Sequence, residues 1–382
     1  VDFYFTEEQR LLRDSVRKFL AREWSKENER ECDEKGVFPF ELVKKMARMG
    51  LLGTPFSEQY GGYGGNTVDF VIVLEELARI GFAAVGSYEL LVGFSGQQIQ
   101  YNGSTSQKAF YLPKIIQGDM ICALGLTESE AGSDAAAVRT TAVKNKDVYV
   151  LNGTKVFTSG ATFAHRVITL ARTEPQAGRK HEGLTMFIVD TVSPGFSARP
   201  IDKLGTKAIP FCEVVFEDVE VPEQEILGGE EGLNKGWEQI VRHLDNERIM
   251  LAAKHIGEGA LSLSEAVHYA KEREQFGQRI IKFQGIGHTL ADLATELEAA
   301  RLLVYYAAWL RSRDLPCRKE AAMAKLMASE VSKKIAINGM QILGGYGYTM
   351  EFDMQRNLRN ALMGTIGGGT SQIMRTLIAR DL

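Results

Sequence analysis

Little in this sequence points to a metal, a membrane or a nucleic acid. The 382 residues include only four cysteines, Cys32, Cys122, Cys212 and Cys317, far apart and without a CxxC pair. That spacing excludes a disulfide framework and a structural zinc site, and it predicts reduced thiols in a reducing compartment. None of the six histidines has a second ligand at helical spacing, so no metal site is expected. No apolar run approaches the roughly 20 residues needed to cross a bilayer. No signal or transit segment precedes the first polar helix, although a cleaved one would leave no trace. Basic residues form no stripe and the formal charge is −4, which argues against a nucleic-acid partner.

What is present is average for a soluble globular chain: 45% apolar and 25% charged residues, in a length that fills two or three domains. The hydrophobic pattern changes twice. Residues 1–119 read as helical, 120–228 as β and 229–382 as helical again. The expected fold is therefore α+β and multidomain: an N-terminal helical domain, a middle antiparallel β-barrel or sandwich, and a C-terminal four-helix bundle. In the first part, Thr6 with Gln9 three residues on is a capping box, and Leu11, Leu12, Val16, Phe19 and Leu20 follow at helical spacing. Further helices are expected over about 39–49, 68–80 and 85–101, with a glycine-rich turn at 61–65. In the middle part, Val148 to Phe157 reads as strand, Asn-Gly turn, strand. Strands are also expected at 166–171, 184–189 and 211–221. The last part reads as helices over roughly 233–273, 283–313, 317–342 and 354–380.

The segment Met120–Asp134 lies at the first switch, and its core, Leu126-Thr127-Glu128-Ser129-Glu130-Ala131-Gly132-Ser133-Asp134, gathers hydroxyls, carboxylates and glycine. A polar loop between domains is the plain reading, yet such a junction is also where ligand sites form. LTESEAGSD closely resembles the LTEPEAGSD signature of the acyl-CoA dehydrogenases. The resemblance runs through nearly the whole chain. It implies that the backbone and hydroxyls of Leu126, Thr127, Gly132 and Ser133 hold a flavin ring, with Ser133 also touching a bound thioester. LNGTKVFTSGA (residues 151–161) is similar to the family's LNGxKxWITNG. Phe157 stands where an aromatic covers the flavin, Ser159 where a hydroxyl meets its N5, and Gly160 replaces the usual Asn.

Two more stretches carry the same resemblance. Arg273, Gln275 and Phe276 match the family's RxQFG, with Phe283 and Gln284 close behind. Gln341, Leu343, Gly344 and Gly345 match its QxxGGxGY; a glycine run also simply ends helices. The resemblance implies FAD shared across two subunits, hence a homo-oligomer, usually a tetramer, and an electron-transfer flavoprotein as the electron acceptor. It also implies either a bacterial cytoplasm or a mitochondrial matrix as the setting.

One departure matters. Many members read IYEGTSQI and use its Glu as the base for the substrate's α-proton; here the stretch is Thr365-Ile366-Gly367-Gly368-Gly369-Thr370-Ser371-Gln372, with Gly368 in that place. A replacement exists on the helix of Leu244-Asp245-Asn246-Glu247-Arg248. Its inward stripe, Trp237, Ile240, Leu244, Glu247 and Leu251, sets one carboxylate among apolar residues. Such a position raises a carboxyl pKa toward that of a general base. An ion pair with Arg248 is the plainer alternative, disfavoured because adjacent helical residues diverge. Isovaleryl-CoA and long-chain members carry their base on this helix, and isovaleryl-CoA dehydrogenase reads IGAGTS and LDLER against IGGGTS and LDNER here.

The resemblance thus implies FAD-dependent α,β-dehydrogenation of an acyl-CoA. Glu247 is the base, the N–H of Gly368 a donor to the thioester carbonyl, and Leu244, Asp245, Arg248, Gly369, Thr370 and Gln372 line the substrate or the cofactor. Glu89 is the single charge on the helix lining the far end of the acyl pocket, read as a solvated or paired surface carboxylate, or else as a reader of a polar substrate feature. With no Arg or Lys on that helix, a dicarboxylic acyl chain is disfavoured. The small residues Gly367 and Gly368 favour a branched or cyclic acyl group. An enoyl-CoA reductase and a catalytically silent flavin-binding subunit are the alternatives.

Overall fold

The computed structural model describes residues 4–175 and 178–382. The first helix, α1 (Glu7–Glu23), starts on the expected capping box, with Thr6 and Gln9 bonding each other's backbone. It is followed by α2 (Lys26–Lys35), α3 (Phe40–Arg48), α4 (Thr67–Ala78) and α5 (Phe82–Tyr88). The expected helix over 85–101 is not regular. Its middle, Glu89–Gly96, is π-helical, and α6 (Gln97–Asn102) completes it before α7 (Thr105–Ile116). π-Segments widen a helix and recur at functional sites.

The middle part is one seven-stranded sheet of β1 (Cys122–Gly125), β2 (Thr141–Asn145), β3 (Val148–Ser159), β4 (Arg166–Arg172), β5 (Leu184–Asp190), β6 (Phe196–Ile201) and β7 (Phe211–Pro222). Its order is β1-β4-β2-β3-β7-β6, with β5 also on β4. It is mixed rather than purely antiparallel, because β1 runs parallel to β4. The expected Asn-Gly hairpin is also corrected. Asn152 and Gly153 sit inside β3 as a bulge against β7, and the hairpin turn is Lys146-Asp147, with Lys146 at φ 56°. Two contacts override the local turn signal. Asn152 exchanges 2.9 Å bonds with Asp218 across the bulge, and a Cβ on Gly153 would lie 2.5 Å from Thr140 Oγ1.

The last part is built on α8 (Gly236–Glu272), a short ribbon of β8 (Glu274–Gln275) and β9 (Gln278–Arg279), then α9 (Gln284–Ser312) and α10 (Arg318–Leu343). The fourth position of the bundle is not a single helix over 354–380. It is α11 (Met354–Met363) and α12 (Ser371–Arg380), divided by the loop 364–370, where glycines at φ 64° and 91° (Gly368 and Gly369) rule out continuation. Thr370 caps α12 by accepting from Ile373 N–H. α8 packs on both α10 and α4, and one hydrophobic core runs through all three parts of the chain. Hence α8, the π-segment, the end of β3 and the loop 364–370 meet. No helix is long and apolar enough to cross a membrane among the described residues.

Candidate active site

Glu89, Ser159, Glu247 and Gly368 line one cavity of about 80 Å³, walled by Leu90, Phe94, Ile209, Phe211, Leu251 and Met363. Volume on that scale takes a compact group of atoms rather than a long chain. Glu247 projects into it from α8, as the stripe predicts. Its half-buried carboxylate makes no hydrogen bond or ion pair among the described residues. Arg248 is instead paired with Asp245 at 2.8 Å. Burial raises the Glu247 pKa, while Arg248 and Lys325 pull it down. An unpaired carboxylate with a raised pKa is what proton abstraction at neutral pH requires.

Gly368 lies directly opposite. A Cβ there would come within 2.1 Å of Leu251 Cδ1 and stand 3.6 Å from Glu247 Oε1. A side chain at position 368 and the carboxylate on α8 would therefore converge on one point. The space is not empty, however: Leu251 fills it, and Met363 Cε lies 2.5 Å from a Cβ on Gly367. The two glycines thus do not free volume for the substrate, as the sequence alone implied; neighbouring side chains use it. The Gly368 N–H meets no acceptor among the described residues, which leaves it available to a carbonyl oxygen.

Lys325, which the sequence did not single out, staples this loop from α10. Its Nζ donates to the carbonyls of Gly364 (2.8 Å) and Gly369 (2.7 Å), joining the loop's two ends. Burial lowers its pKa to about 8.

Glu89 is not a surface carboxylate. It is 2% exposed, at the start of the π-segment, and pairs with Lys254 of α8 at 3.5 Å. Burial raises its pKa to about 7 against the pull of Lys254. So a cation does face the far end of the cavity, from α8 rather than from Glu89's own helix. Behind Lys254, Glu258 holds His255 Nδ1 at 2.9 Å. Burial opposes the charge on Glu258, yet Lys254 and His255 outweigh it and keep its pKa low. This cluster was legible: 254 and 258 continue the stripe 240, 244, 247, 251 at steps of three and four.

In the switch segment, Glu128 organises the loop. Its carboxylate accepts Lys155 Nζ (2.7 Å), Thr140 Oγ1 (2.6 Å), Thr140 N (3.0 Å) and Arg139 N (2.6 Å). Burial works against Glu128's charge, but Lys155 keeps its pKa below the ordinary carboxylate range. The anchored loop turns tightly between Glu128 and Ala131 and leaves Gly132 and Ser133 exposed, with Leu126 and Thr127 half-buried. Across from it, Phe157 is held at φ 61° with its ring 55% exposed, two residues before Ser159. A large aromatic in that backbone region is uncommon and marks a functional constraint.

A second cavity, about 540 Å³, lies at the far end of α8. Arg273, Gln275, Phe276 and Phe283 line one side, and Leu343, Gly344 and Gly345 the other. Gly344 (φ 62°) and Gly345 have nothing within 4 Å of a would-be Cβ, so an anion can approach their backbone. The Arg273 guanidinium makes no ion pair among the described residues; it lies 5.8 Å from the Tyr346 ring. Phe276 is 93% exposed. Gln284, Gln341 and Gln372 are exposed outside both cavities, while Leu244, on the stripe between Ile240 and Glu247, packs on the core. An exposed flat aromatic at strained φ, a hydroxyl beside the unpaired carboxylate, and a glycine surface with a free arginine fit the ring and diphosphate of FAD. No cluster of residues able to hold a metal occurs among the described residues.

The helical–β–helical chain, with the half-buried Glu247 carboxylate sharing a cavity with Ser159 at the end of β3 and the loop 126–134 outside both cavities, has the organisation expected of a flavin-dependent oxidoreductase of acyl thioesters. Three family models match in order: acyl-CoA dehydrogenase N-terminal domain (residues 6–119), middle domain (123–219) and C-terminal domain (234–382). An acyl-CoA dehydrogenase of Bacillus subtilis is 42% identical, over 99% of each chain. The caffeyl-CoA reductase-Etf complex subunit CarC of Acetobacterium woodii is 39% identical, over 98% of each. The structure of butyryl-CoA dehydrogenase from Megasphaera elsdenii superposes with a TM-score of 0.94 at 34% identity, over 100% of this chain and 99% of that one. The chain belongs to the acyl-CoA dehydrogenase family, whose members are FAD-dependent oxidoreductases.

Proposed function

We propose that this protein removes the α-proton and β-hydride of a compact acyl-CoA thioester to give the 2-enoyl-CoA, with Glu247 as the base. With Leu251 and Met363 in the space beside Gly368 and Gly367, the ground for a branched or cyclic acyl group is gone. The observation that carries this reading is the unpaired Glu247 carboxylate, 3.6 Å from where a Cβ on Gly368 would stand. Glu247 takes the proton. The Gly368 N–H, held by Lys325 through the loop ends, meets the carbonyl oxygen on which enolate charge develops; one such donor is worth about 3 kcal/mol. FAD, when bound, supplies the hydride acceptor. Thr127, Ser133, Phe157 and Ser159 would hold its ring, and Arg273 with Gly344 and Gly345 its diphosphate. The apolar part of the wall, Leu90, Phe94, Ile209, Phe211 and Leu251, would limit water at the reacting carbons.

The reading extends to a homotetramer in which the open cavity of Arg273 meets FAD of a neighbouring subunit, and to domains at 1–119, 120–228 and 229–382. An electron-transfer flavoprotein as acceptor is supported by the Acetobacterium woodii relative, a subunit of an Etf complex. The same relative, a reductase by name, supports the opposite direction as the second reading, since the site serves the reaction either way. Anaerobic mixing of the FAD-loaded protein with a panel of saturated and 2-unsaturated acyl-CoAs decides. Flavin bleaching by a saturated thioester is expected. Reoxidation of reduced flavin by unsaturated thioesters alone would reverse the direction, and no spectral response to any thioester would leave only a binding subunit.

A further inference from the structure

Most buried carboxylates among the described residues are held by close donors; Glu258 leaves one oxygen bare but closes the other on His255 at 2.9 Å and does not line the cavity. Glu29 accepts Trp24 Nε1 and the N–H groups of Ala83 and Ala84. Glu75 is held by Arg79, Arg301 and Tyr305, and Glu128 by four donors. Glu89 differs. It is equally buried and lines the acyl cavity, yet its Oε1 has no partner. Its Oε2 lies 3.5 Å from Lys254 Nζ, whereas the other buried lysine pair, Lys155–Glu128, closes to 2.7 Å. A buried polar atom left without a partner is destabilising, more so when charged. An alkyl chain filling the cavity would leave that cost in place.

We propose that the acyl group accepted here carries a hydroxyl at its distal end, received by Glu89 and Lys254. A hydroxyl donates to the free carboxylate oxygen and accepts from the ammonium with one atom. A distal carboxylate would face Glu89, and a distal ammonium would face Lys254, so neither matches the pair. This deepens the proposed function, because it takes the cavity beside Glu247 as the acyl pocket. Sites built to hydrogen-bond a substrate hydroxyl discriminate strongly against the analogue lacking it.

The test is calorimetric titration of the FAD-loaded protein with matched thioesters: 4-hydroxybutyryl-CoA against butyryl-CoA, and 5-hydroxyvaleryl-CoA against valeryl-CoA. At least tenfold tighter binding of one hydroxylated member is expected. That preference should vanish in Glu89→Leu and shrink in Glu89→Gln, which fills the same space if the leucine variant does not fold. Equal or tighter binding of the alkyl members by the wild-type protein would overturn the assignment and leave water as the partner of Glu89. An unchanged preference in Glu89→Leu would overturn it too. Tight, selective binding without flavin bleaching would instead count against the dehydrogenase reading alone.

Discussion

The two cavities on α8 use glycine, charge and exposure in opposite ways. Around Glu247 the glycines let other side chains in: Leu251 fills the space at Gly368, and Met363 that at Gly367. The charges there are buried or, for Glu247, half-buried, and apart from Glu247 each leans on another group of this chain. Around Arg273 the glycines face open space, the aromatic ring of Phe276 is bare, and the arginine is unpaired. The first cavity is walled closely by side chains of this chain. The second is a surface prepared to receive something charged. Damage to the first should change rates, and damage to the second should change FAD affinity.

Glu247→Gln aside, the largest effect expected is from Gly368→Val. A β-branched residue at φ 64° is strained, and its Cβ strikes Leu251. Displacing the loop by about 1 Å should lower turnover by roughly 100-fold while the flavin absorbance of the purified protein is kept. Loss of bound FAD instead would blur the division between the cavities.

Next is Lys325→Met, which leaves two loop carbonyls without their donor. Denaturant unfolding should show a loss of about 1–3 kcal/mol. It should also move the pH profile. Glu247 works ionised, so activity is lost as pH falls through its raised pKa. Lys325 lowers that pKa, so removing it should shift the acid limb of kcat/KM to higher pH. An acid limb that stays where it is would mean that the two groups do not interact.

Arg273→Ala should weaken FAD binding by about tenfold, the scale of one charge-assisted hydrogen bond. Turnover at saturating FAD should be retained. Reduced turnover with unchanged FAD affinity would assign the arginine elsewhere. The smallest effect is at Thr370, whose side chain caps α12. Thr370→Ala should cost about 1 kcal/mol of stability and leave FAD content unchanged.

Much of this was legible in the sequence, for physical reasons that differ by element. The period of α8 exposes Glu247 as a charge on an apolar stripe, and the Thr6 cap announces α1. Periodicity needs only neighbours along the chain. The Asn152-Gly153 pair misleads because its partner is Asp218, far along the chain, and a cross-strand bond overrides a local turn preference. Glu89 misleads for the same reason: a lone charge on an apolar helix reads as surface until Lys254 arrives from α8. Lys325 and Glu128 stay hidden because they serve backbone groups of distant loops, contacts that no spacing encodes. Glycine at 367–368 reads as missing volume, yet whether that volume is free depends on side chains of two other segments.

The claim on which the rest depends is that the proton-removing carboxylate is on α8. Anaerobic rapid mixing of FAD-loaded Glu247→Gln with a thioester that bleaches the wild-type flavin tests it. The account predicts that the variant binds the thioester, with the usual perturbation of the flavin spectrum, but that bleaching slows by about 100-fold or more. Bleaching at the wild-type rate would contradict it.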